Sequence, residues 1–393
     1  MKRKVCVVTG SRAEYGLLKP LLAEIKNDGE MELQLIVTGM HLSSEFGLTF
    51  RDAEKDGFLI KEKIDILLDS DTPVGIARSM GLALKSFAEG YERLQPDCVV
   101  VLGDRFELFG VVAAALVSRI PVVHIHGGEL TEGVFDDAIR HSITKMSHLH
   151  FTSTEEYRKR VIQLGEDPKR VFNVGALGID NVKRLTLVPK EELEKEWVFT
   201  FAKHNILVTF HPVTLEDNTA QEQFRNVLDV MDGIPDMHII FTKANADPGG
   251  KTINGMIDEY VSRNSRKAVA VTSMGTAKYL STMKLVDAVV GNSSSGIIEA
   301  PSFRVPTVNI GDRQKGRVRA KSVIDCEPTK KGIKRAIERL YSEEFQKSLE
   351  NVVNPYGDGN TAKRIKGILK SNDLTGIVKK SFYDMTGGRN EVL

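Results

Sequence analysis

Apolar and polar positions follow two alternating patterns along the first half of the chain. Short runs rich in Val, Ile and Leu are separated by longer segments whose apolar residues recur at helical spacing. In order, these segments cover residues 5–9, 17–27, 33–37, 72–94, 98–102, 110–119 and 121–125, and residues 151–154, a basic helix and residues 171–178 follow. Continuous apolar strands separated by helices are typical of a parallel sheet covered on both faces. The pattern therefore predicts an α/β fold.

The same alternation resumes after a charged stretch at residues 189–197. It covers residues 206–210, 220–231, 237–241, 252–263, 269–272, 277–284, 288–290 and 307–310. A chain of 393 residues exceeds the size of one ordinary core. We predict two Rossmann-like domains facing a cleft, over residues 1–178 and 179–360, with a C-terminal helical segment, 361–393, that packs back on the first domain.

Composition excludes several classes of protein. The 54 basic residues are balanced by 53 acidic ones, so the chain has no excess of positive charge for binding nucleic acid. No apolar run reaches membrane-spanning length, and the first residues lack the apolar core of a signal peptide. The three cysteines are odd in number and lack C-x-x-C spacing, which argues against a disulfide framework and a zinc site. We expect a soluble cytoplasmic protein without a membrane partner.

Polar residues follow most of the predicted strands. In open parallel sheets, ligands bind beyond the carboxyl ends of the strands, so these residues are the candidates for chemistry. Arg12, Asp104, His126 and His211 each lie at or just after a predicted strand end. Neither G-x-G-x-x-G nor a P-loop motif follows the first strand, which disfavours a nicotinamide or flavin cofactor.

The stretch VVGNSSSGIIEAPSF, residues 289–303, predicts a strand that enters a Gly- and Ser-rich turn and then a helix. Unpaired backbone N–H groups at a helix start favour a phosphate. Ser293 and Ser294 would add hydroxyl donors, and Glu299 would accept hydrogen bonds from a ribose. A serine that merely caps the helix is the alternative at this point.

Other candidates also have simpler structural alternatives. Arg12 is either a donor to a diphosphate or a surface residue paired with Glu14. Asp104 is either an acid or base at the cleft floor or the N-cap of the next helix. Arg313, in a segment with three cations in five positions, either binds a diphosphate or belongs to a solvated loop.

Histidines and one asparagine complete the candidate set. His124 and His126 lie on one face of a strand end, but no further ligands have a diagnostic metal spacing. His211 precedes a proline where a loop begins, and we expect its side chain to reach a ligand. Asn245 follows another strand and has the amide needed to pair with a flat heterocycle.

Taken in order, these motifs resemble the hydrolysing UDP-N-acetylglucosamine 2-epimerases of bacterial sialic-acid biosynthesis. The resemblance spans essentially the whole chain and is carried by GSRAEYG, VTGMHLS, LGDRFE, HIHGGE, FDDAIRHSITKMSHLH, RVIQLGE, FHPVT, GNSSSGIIEAPSF, NIGDRQKGR and NPYGDGN. It implies the two-domain fold of the B-type glycosyltransferases and UDP in the interdomain cleft. It also implies no metal, no cofactor and a homo-oligomer, either a dimer or a tetramer. The family converts UDP-N-acetylglucosamine and water to N-acetylmannosamine and UDP.

The resemblance also implies a role for each matching residue. Arg12, Ser293, Ser294 and Arg313 would hold the diphosphate, Glu299 the ribose and Asn245 the region of the uracil. The sugar would be surrounded by Asp104, His126, Glu129, Asp136 and His211. Many relatives have HIEGGE where this chain has HIHGGE. A role that depends on that carboxylate would therefore pass to Glu129 or Asp136.

These residues suggest elimination of UDP followed by hydration of the resulting glycal, with two groups acting on opposite faces of the sugar. Asp104 and either Glu129 or Asp136 are the candidate base and acid. Two alternatives remain open from the sequence. One is the same chemistry on UDP-2,4-diacetamido-2,4,6-trideoxyglucose, on the way to legionaminic acid. The other is a non-catalytic protein that binds a UDP-sugar.

Overall fold

A computed structural model describes residues 2–66, 72–131, 135–212, 219–243, 250–272 and 274–385. The chain divides into two compact units. The first comprises Met1–Glu129, Phe135–Asp180 and Gly359–Leu393, and the second comprises Leu130–Val134 and Asn181–Asp358. Within the described ranges, no helix combines the length and the apolar character needed to cross a membrane.

The first unit alternates strands and helices. Its strands are β1 (Arg3–Thr9), β2 (Met31–Thr38), β3 (Ile60–Ile64), β4 (Cys98–Leu102), β5 (Val122–Ile125), β6 (Leu149–Thr152) and β7 (Val171–Asn173). Its first six helices are α1 (Arg12–Lys26), α2 (Phe50–Lys55), α3 (Pro73–Leu94), α4 (Phe106–Val117), α5 (Asp136–Met146) and α6 (Glu155–Gln163). Helix α7 (Leu177–Arg184) begins in this unit and ends in the second.

The second unit repeats the alternation. Its strands are β8 (His204–Thr209), β9 (Met237–Thr242), β10 (Ala268–Val271), β11 (Ala288–Gly291), β12 (Thr307–Ile310) and β13 (Val323–Cys326). Its helices are α8 (Lys190–Trp197), α9 (Ala220–Asp232), α10 (Gly250–Arg263), α11 (Gly275–Leu285), α12 (Ser294–Ile298), α13 (Lys330–Leu340) and α14 (Glu343–Ser348). The final helix, α15 (Thr361–Ser371), belongs to the first unit.

Each unit contains one parallel sheet. Among the described residues, the strand orders are β3-β2-β1-β4-β5-β6-β7 and β10-β9-β8-β11-β12-β13, and every neighbouring pair is parallel. In each sheet, successive strands are first added on one side of the first strand and then on its other side. The order changes between β1 and β4 in the first sheet and between β8 and β11 in the second. Ligands of such sheets bind at this reversal, outside the carboxyl ends of the strands.

Apolar residues cover both faces of each sheet. Val5 and Val7 of β1 pack in one cluster with residues of α1 and α15, whereas Cys6 and Val8 pack in another with residues of α3 and α4. In the second unit, Val208 and Leu207 of β8 also join different clusters. Successive strand residues point to opposite faces, so continuous apolar strands require helices on both sides. This confirms the α/β fold predicted from the apolar pattern.

Two edge strands were not among the predicted elements. Strand β3 has the sequence IKEKI, in which three consecutive charged residues stand between two isoleucines, as an edge strand that is only partly buried allows. Strand β13 has the sequence VIDC, in which the exposed Asp325 interrupts the apolar run. Helix α1 also begins earlier than predicted, at Arg12, because Ser11 caps it and accepts a hydrogen bond from the backbone N–H of Glu14.

The C-terminal segment is anchored to the first unit at two places. The carboxylate of Asp180 accepts hydrogen bonds from the backbone N–H groups of Thr361, at 2.7 Å, and Ala362, at 2.9 Å, and so caps α15. Beyond α15, Lys380 Nζ lies 2.7 Å from both the Ser147 carbonyl and Glu166 Oε2. The chain after α15 is thereby attached to the segments that flank β6.

Glu166 lies at the centre of this second anchor. Its side chain is 3% exposed and contacts Lys145 and Lys380, each at 2.7 Å, and His150 Nε2, at 3.0 Å. Burial tends to raise the pKa of this carboxyl. The hydrogen bonds and charges of His150, Lys145 and Lys380 outweigh that tendency and lower the pKa to about 2.

We expect Glu166→Gln to lower the free energy of unfolding by about 2 kcal/mol at neutral pH, because it leaves the half-buried ammonium group of Lys380 without its carboxylate, while the more exposed Lys145 is screened by solvent and adds little. Urea denaturation of both proteins measures the difference. A folded-state pKa of about 2 lies below the usual 4.5, so this stability is present above the unfolded pKa. This contribution to stability should be lost as the pH falls through the folded-state pKa.

The matched control is Glu32→Gln, which removes a surface partner of Lys61 at 3.4 Å. Exposed pairs contribute about 0–1 kcal/mol, so this variant should denature almost as wild type does. Equal effects of the two substitutions, or a loss in Glu166→Gln that does not change in acid, would contradict a structural role of the Glu166 anchor.

Candidate active site

Arg140 organises the polar residues at the carboxyl ends of β4 and β5. The residue is 3% exposed, and its guanidinium donates to the Asp104 carboxylate. It also donates to the Glu129 carbonyl at 2.7 Å and to Asp137 Oδ1 at 3.3 Å. A planar guanidinium with several acceptors holds each of them in a defined orientation. Arg140 thus connects Asp104, which follows β4, with Glu129, which follows β5.

Asp104 is not the N-cap of the following helix. The cap position of α4 is Arg105, which makes no side-chain cap hydrogen bond. The Asp104 side chain is instead 24% exposed and paired with Arg140. It can therefore meet a ligand while its orientation is held by a buried residue, which is the arrangement required of a general base.

Asp136, the first residue of α5, lies in a different environment. Burial raises its pKa to about 6, and the negative charge of Asp104 adds to the increase, while Arg105 and Arg140 oppose it. A carboxyl with this pKa keeps its proton in about a tenth of molecules at pH 7 and in about half at pH 6, far more than an ordinary aspartate does. The two aspartates are therefore suited to opposite roles, Asp136 as proton donor and Asp104 as proton acceptor.

His126 has a backbone conformation that is uncommon for a residue with a side chain. Its φ is +66°, and its backbone N–H donates to the Phe151 carbonyl at 2.8 Å. Its Nε2 accepts from the Leu177 backbone N–H at 3.4 Å. Strain of this kind costs on the order of 1–3 kcal/mol and is concentrated at functional sites.

Glu129 lies beside His126. Its Oε1 is 3.5 Å from His126 Nδ1 and accepts a hydrogen bond from Ser153 Oγ at 2.8 Å. Both side chains are nearly buried. The position at which many relatives carry a glutamate thus has a carboxylate next to it in this chain, supplied by Glu129. Its chemical role stays a prediction.

The His124 side chain makes its hydrogen bonds to other residues of the protein. Its Nε2 donates to the Gly103 carbonyl at 2.8 Å, and its Nδ1 accepts from Thr144 Oγ1 at 3.0 Å. Burial lowers the pKa of its imidazole to about 3, so the ring is neutral. Since both nitrogens have partners, His124 and His126 do not form the beginning of a metal site.

Arg12 is the first residue of α1 and is exposed. The alternative that paired it with Glu14 is wrong. Glu14 Oε2 accepts from Gly10 N at 3.0 Å and Ser11 Oγ at 3.1 Å, while Arg12 lies 3.9 Å from Asp52. Arg12 thus lies at the N-terminus of α1, directly after the carboxyl end of β1, and its binding of a diphosphate stays a prediction.

His211 follows β8, beside the reversal of the second sheet. Burial lowers the pKa of its imidazole to about 3, and the charge of Arg313 contributes. The ring is therefore neutral. Its Nδ1 is buried and has no partner among the described residues, so a hydrogen on Nε2 avoids an unsatisfied buried donor. This tautomer makes His211 a neutral hydrogen-bond donor.

The Ser-rich turn leads into a short helix, as predicted, and phosphate binding at this turn stays a prediction. Ser293 caps α12 and accepts from the Ser295 backbone N–H at 3.4 Å. Helix α12 has five residues, so its dipole is small. Glu299 follows as its C-cap. A phosphate at this turn would therefore depend on hydroxyl and backbone donors and on a nearby cation more than on the helix dipole.

Arg313 supplies that cation. Its Nη1 donates to the Asn292 carbonyl at 3.1 Å, which places the guanidinium against the residue before Ser293. The structure thus brings Arg313, Ser293 and His211 to the same end of the second sheet. Asn245, predicted to lie near the uracil, is outside the described residues.

Two residues that organise these groups, Arg140 and Asn292, were not predicted to do so from the sequence. Arg140 was noted within FDDAIR, and Asn292 within GNSSSG, but neither received a role. Their sequence signal is weak because each acts on a residue far away in the chain. Arg140 bonds Asp104, and the Asn292 side chain bonds His211.

Comparison with known proteins gives a family match over most of the chain. The family model described as UDP-N-acetylglucosamine 2-epimerase matches residues 23–370. A Campylobacter jejuni relative, GDP/UDP-N,N'-diacetylbacillosamine 2-epimerase (hydrolyzing), is 47% identical over 98% of this chain and 100% of its own length. The Escherichia coli polysialic acid biosynthesis protein P7 is 42% identical over 98% of both chains. A Legionella pneumophila UDP-N,N'-diacetylbacillosamine 2-epimerase (hydrolyzing) is 35% identical, covering 95% and 97%.

Solved structures share the fold at lower sequence identity. S. aureus MnaA with UDP has a TM-score of 0.80 at 18% identity, and covers 98% of this chain and 100% of the other. The Neisseria meningitidis UDP-GlcNAc 2-epimerase bound to UDP-GlcNAc has a TM-score of 0.71 at 21% identity, covering 94% and 100%. The predicted glycosyltransferase B-type architecture is confirmed by this likeness and by the two parallel sheets.

Proposed function

The chain belongs to the UDP-N-acetylglucosamine 2-epimerase family, and on that premise we propose that it is a hydrolysing 2-epimerase of UDP-2,4-diacetamido-2,4,6-trideoxyglucose. This sugar is N,N'-diacetylbacillosamine, the substrate in the names of the C. jejuni and L. pneumophila relatives. The products would be UDP and the free sugar inverted at C2. The substrate is thus the one left as an alternative by the sequence, in place of UDP-N-acetylglucosamine.

The observation that carries the proposed chemistry is the unequal pair Asp104 and Asp136. Asp104 is an acceptor oriented by Arg140, whereas burial and the charge of Asp104 raise the pKa of Asp136 to about 6. Elimination followed by hydration needs one group that removes a proton and another that supplies one. A carboxylate oriented by a buried guanidinium, beside a carboxyl whose pKa is raised, supports catalysis rather than binding alone.

The first step removes UDP. Asp104 takes the proton from C2, the electrons of that C–H bond form the C1–C2 double bond, and the C1–O bond breaks with its electrons on the diphosphate. The C2 hydrogen is barely acidic until positive charge develops at C1, so departure of UDP leads the step. Positive groups and hydrogen-bond donors at the leaving oxygen therefore contribute most to the rate.

The second step hydrates the glycal. Water oxygen bonds to C1 while Asp136 gives its proton to C2 from the opposite face, which inverts that carbon. Two protons are then left over, one lost by the water and one held by Asp104. One of them restores the proton of Asp136 and the other is released to solvent, so both carboxyls end as they began. Glu129 and His126 would bind the sugar beside these two groups.

The second unit and Arg12 would hold the nucleotide. Arg12, Arg313, Ser293 and Ser294 provide cations and hydroxyl donors for the diphosphate, and Glu299 provides acceptors for the ribose. Asn245 keeps its predicted place near the uracil. Neutral His211 would donate a hydrogen bond to the departing phosphate, a role that requires no change of its charge.

The proposal is tested by incubating the protein with each of the two UDP-sugars in deuterated water and following UDP release and sugar products by NMR. We expect the diacetamido sugar to have the higher kcat/KM and its product to carry deuterium at C2. A higher kcat/KM for UDP-N-acetylglucosamine would establish the second candidate, which the 42% identical polysialic acid relative favours.

Other results would contradict the elimination mechanism or the proposal that the protein is an enzyme. Product without deuterium at C2 excludes proton removal at that carbon. Binding of both UDP-sugars without release of UDP would establish the non-catalytic alternative. The cytoplasmic location and the homo-oligomer stay predictions, which fractionation of the source cells and light scattering of the purified protein would check.

A further inference from the structure

Asn292 contacts both backbone polar groups of His211. It lies directly after β11, is 1% exposed, and accepts a hydrogen bond from the His211 backbone N–H through Oδ1 at 2.7 Å. Its Nδ2 donates to the His211 carbonyl at 2.7 Å. The buried Asn292 amide thus satisfies both the backbone donor and the backbone acceptor of His211, and so fixes the orientation of the His211 backbone relative to β11.

The contact extends the sheet beyond its last backbone pair. Strands β8 and β11 pair in parallel up to Thr209 and Gly291, and the Asn292 backbone N–H donates to the Thr209 carbonyl at 3.1 Å. A Cβ on Gly291 would lie 1.9 Å from that carbonyl oxygen, so the two strand ends approach as closely as glycine allows. The Asn292 side chain then takes the place of the next backbone–backbone hydrogen bonds between the two strands.

The same residue also contacts the loop after β12. The Asn292 carbonyl accepts from Arg313 Nη1 at 3.1 Å and from Gln314 Nε2 at 2.9 Å. Asn292 therefore joins three segments: the one that carries His211, the Ser-rich turn, and the loop that carries Arg313.

We propose that Asn292 is a positioning residue for His211 in the leaving-group step, an inference that rests on the proposed function. His211 is followed by Pro212, which has no N–H, and its own backbone groups are bonded by the Asn292 amide rather than by a neighbouring strand. Without that amide, the His211 backbone is released and its ring leaves the buried position near Arg313. The hydrogen bond to the departing phosphate then loses its alignment.

The test compares Asn292→Ala and Asn292→Asp with Asn309→Ala in the full-length protein. Asn309 is an equally buried asparagine in β12 that bonds Asp325 at 2.7 Å, so it controls for loss of a buried amide in the same sheet. We expect Asn292→Ala to lower kcat by about 10²-fold, since small misplacements of reacting groups have effects of that size.

Asn292→Asp keeps the size and the acceptor for the His211 N–H but loses the donor to its carbonyl, so we expect a decrease in kcat of about tenfold. This variant also decides the outcome if Asn292→Ala does not fold. The dissociation constant of UDP should change by less than about threefold in both, because the Asn292 carbonyl that bonds Arg313 remains.

A second readout does not depend on turnover. In wild type, burial and Arg313 keep the His211 imidazole neutral, so its carbon-bound proton signals should not shift between about pH 5 and 8. In Asn292→Ala the released ring should titrate near the ordinary histidine value of about 6.5. Tm values of all variants show whether the Asn292 and Asn309 substitutions destabilise the protein equally.

The two proposals fail in different ways. If wild type releases no UDP from any UDP-sugar, the proposed function is wrong, and the His211 titration still decides whether Asn292 holds that ring. The inference about Asn292 is overturned if His211 does not titrate in the Asn292→Ala variant. It is also overturned if kcat stays within about threefold of the Asn309→Ala value, or if UDP affinity falls in parallel with kcat.

Discussion

Replacing Asp104 with Asn is expected to lower kcat by about 10²–10⁴-fold, the usual contribution of a general base. The amide has nearly the size of the carboxylate but no basic oxygen pair, so it does not take the C2 proton. The residues proposed to hold UDP are elsewhere in the chain, so the dissociation constant of UDP should stay within about threefold. Steady-state kinetics and calorimetric titration with UDP measure the two quantities separately.

Asp97→Asn is the matched control for this experiment. Asp97 precedes the same strand, β4, at its opposite end, where its Oδ2 accepts from the Lys4 backbone N–H at 2.7 Å. We expect this variant to keep its kcat within about twofold, as is usual for surface substitutions. If Asp104→Asn retains more than about a tenth of wild-type kcat, Asp104 does not act as the base.

The fold was predictable because the central strands are buried on both faces and are mostly apolar. Strands β4 and β12 have the predicted bounds, Cys98–Leu102 and Thr307–Ile310. Such runs arise wherever both faces of a strand are buried. At an edge, burial is one-sided, and β3 therefore contains lysines and a glutamate that hid it from the pattern.

The candidate residues were predictable for a related reason. A parallel sheet places every strand's carboxyl end at one edge, so residues after β4, β5 and β8 could be selected without knowing the strand order. The chemical state of each residue was not predictable in this way. The raised pKa of Asp136 depends on its burial and on its nearness to Asp104, and 31 residues of sequence separate the two.

The function of the Ser-rich turn could not be predicted from its local sequence. Its sequence is equally consistent with a helix cap and with a phosphate site, and in the structure Ser293 does cap α12. The neighbourhood, rather than the turn, favours a ligand. Arg313 approaches from the loop after β12, and the Asn292 side chain holds His211 beside it. None of these contacts is visible in the order of residues.

Asp136→Asn should reveal the second half of the reaction, because it removes the proposed acid and leaves the base in place. Asp104 would still eliminate UDP, but the glycal would lack its proton donor. We expect kcat for the epimerised sugar to fall by about 10²–10⁴-fold and the unsaturated glycal to be released with UDP. NMR of the reaction mixture distinguishes the glycal from both sugars.

The pH dependence of wild type provides an independent check on the same residue. An acid with a pKa of about 6 must hold its proton to act, so kcat/KM should decrease as the pH rises above that value. Asp136→Asn should lose this alkaline decrease. Since the negative charge of Asp104 helps to raise the pKa of Asp136, the residual activity of Asp104→Asn should decrease at a lower pH than wild type. An alkaline limb that persists unchanged in Asp136→Asn would assign the proton donor to another group, and Glu129, beside His126, would then be the next residue to replace.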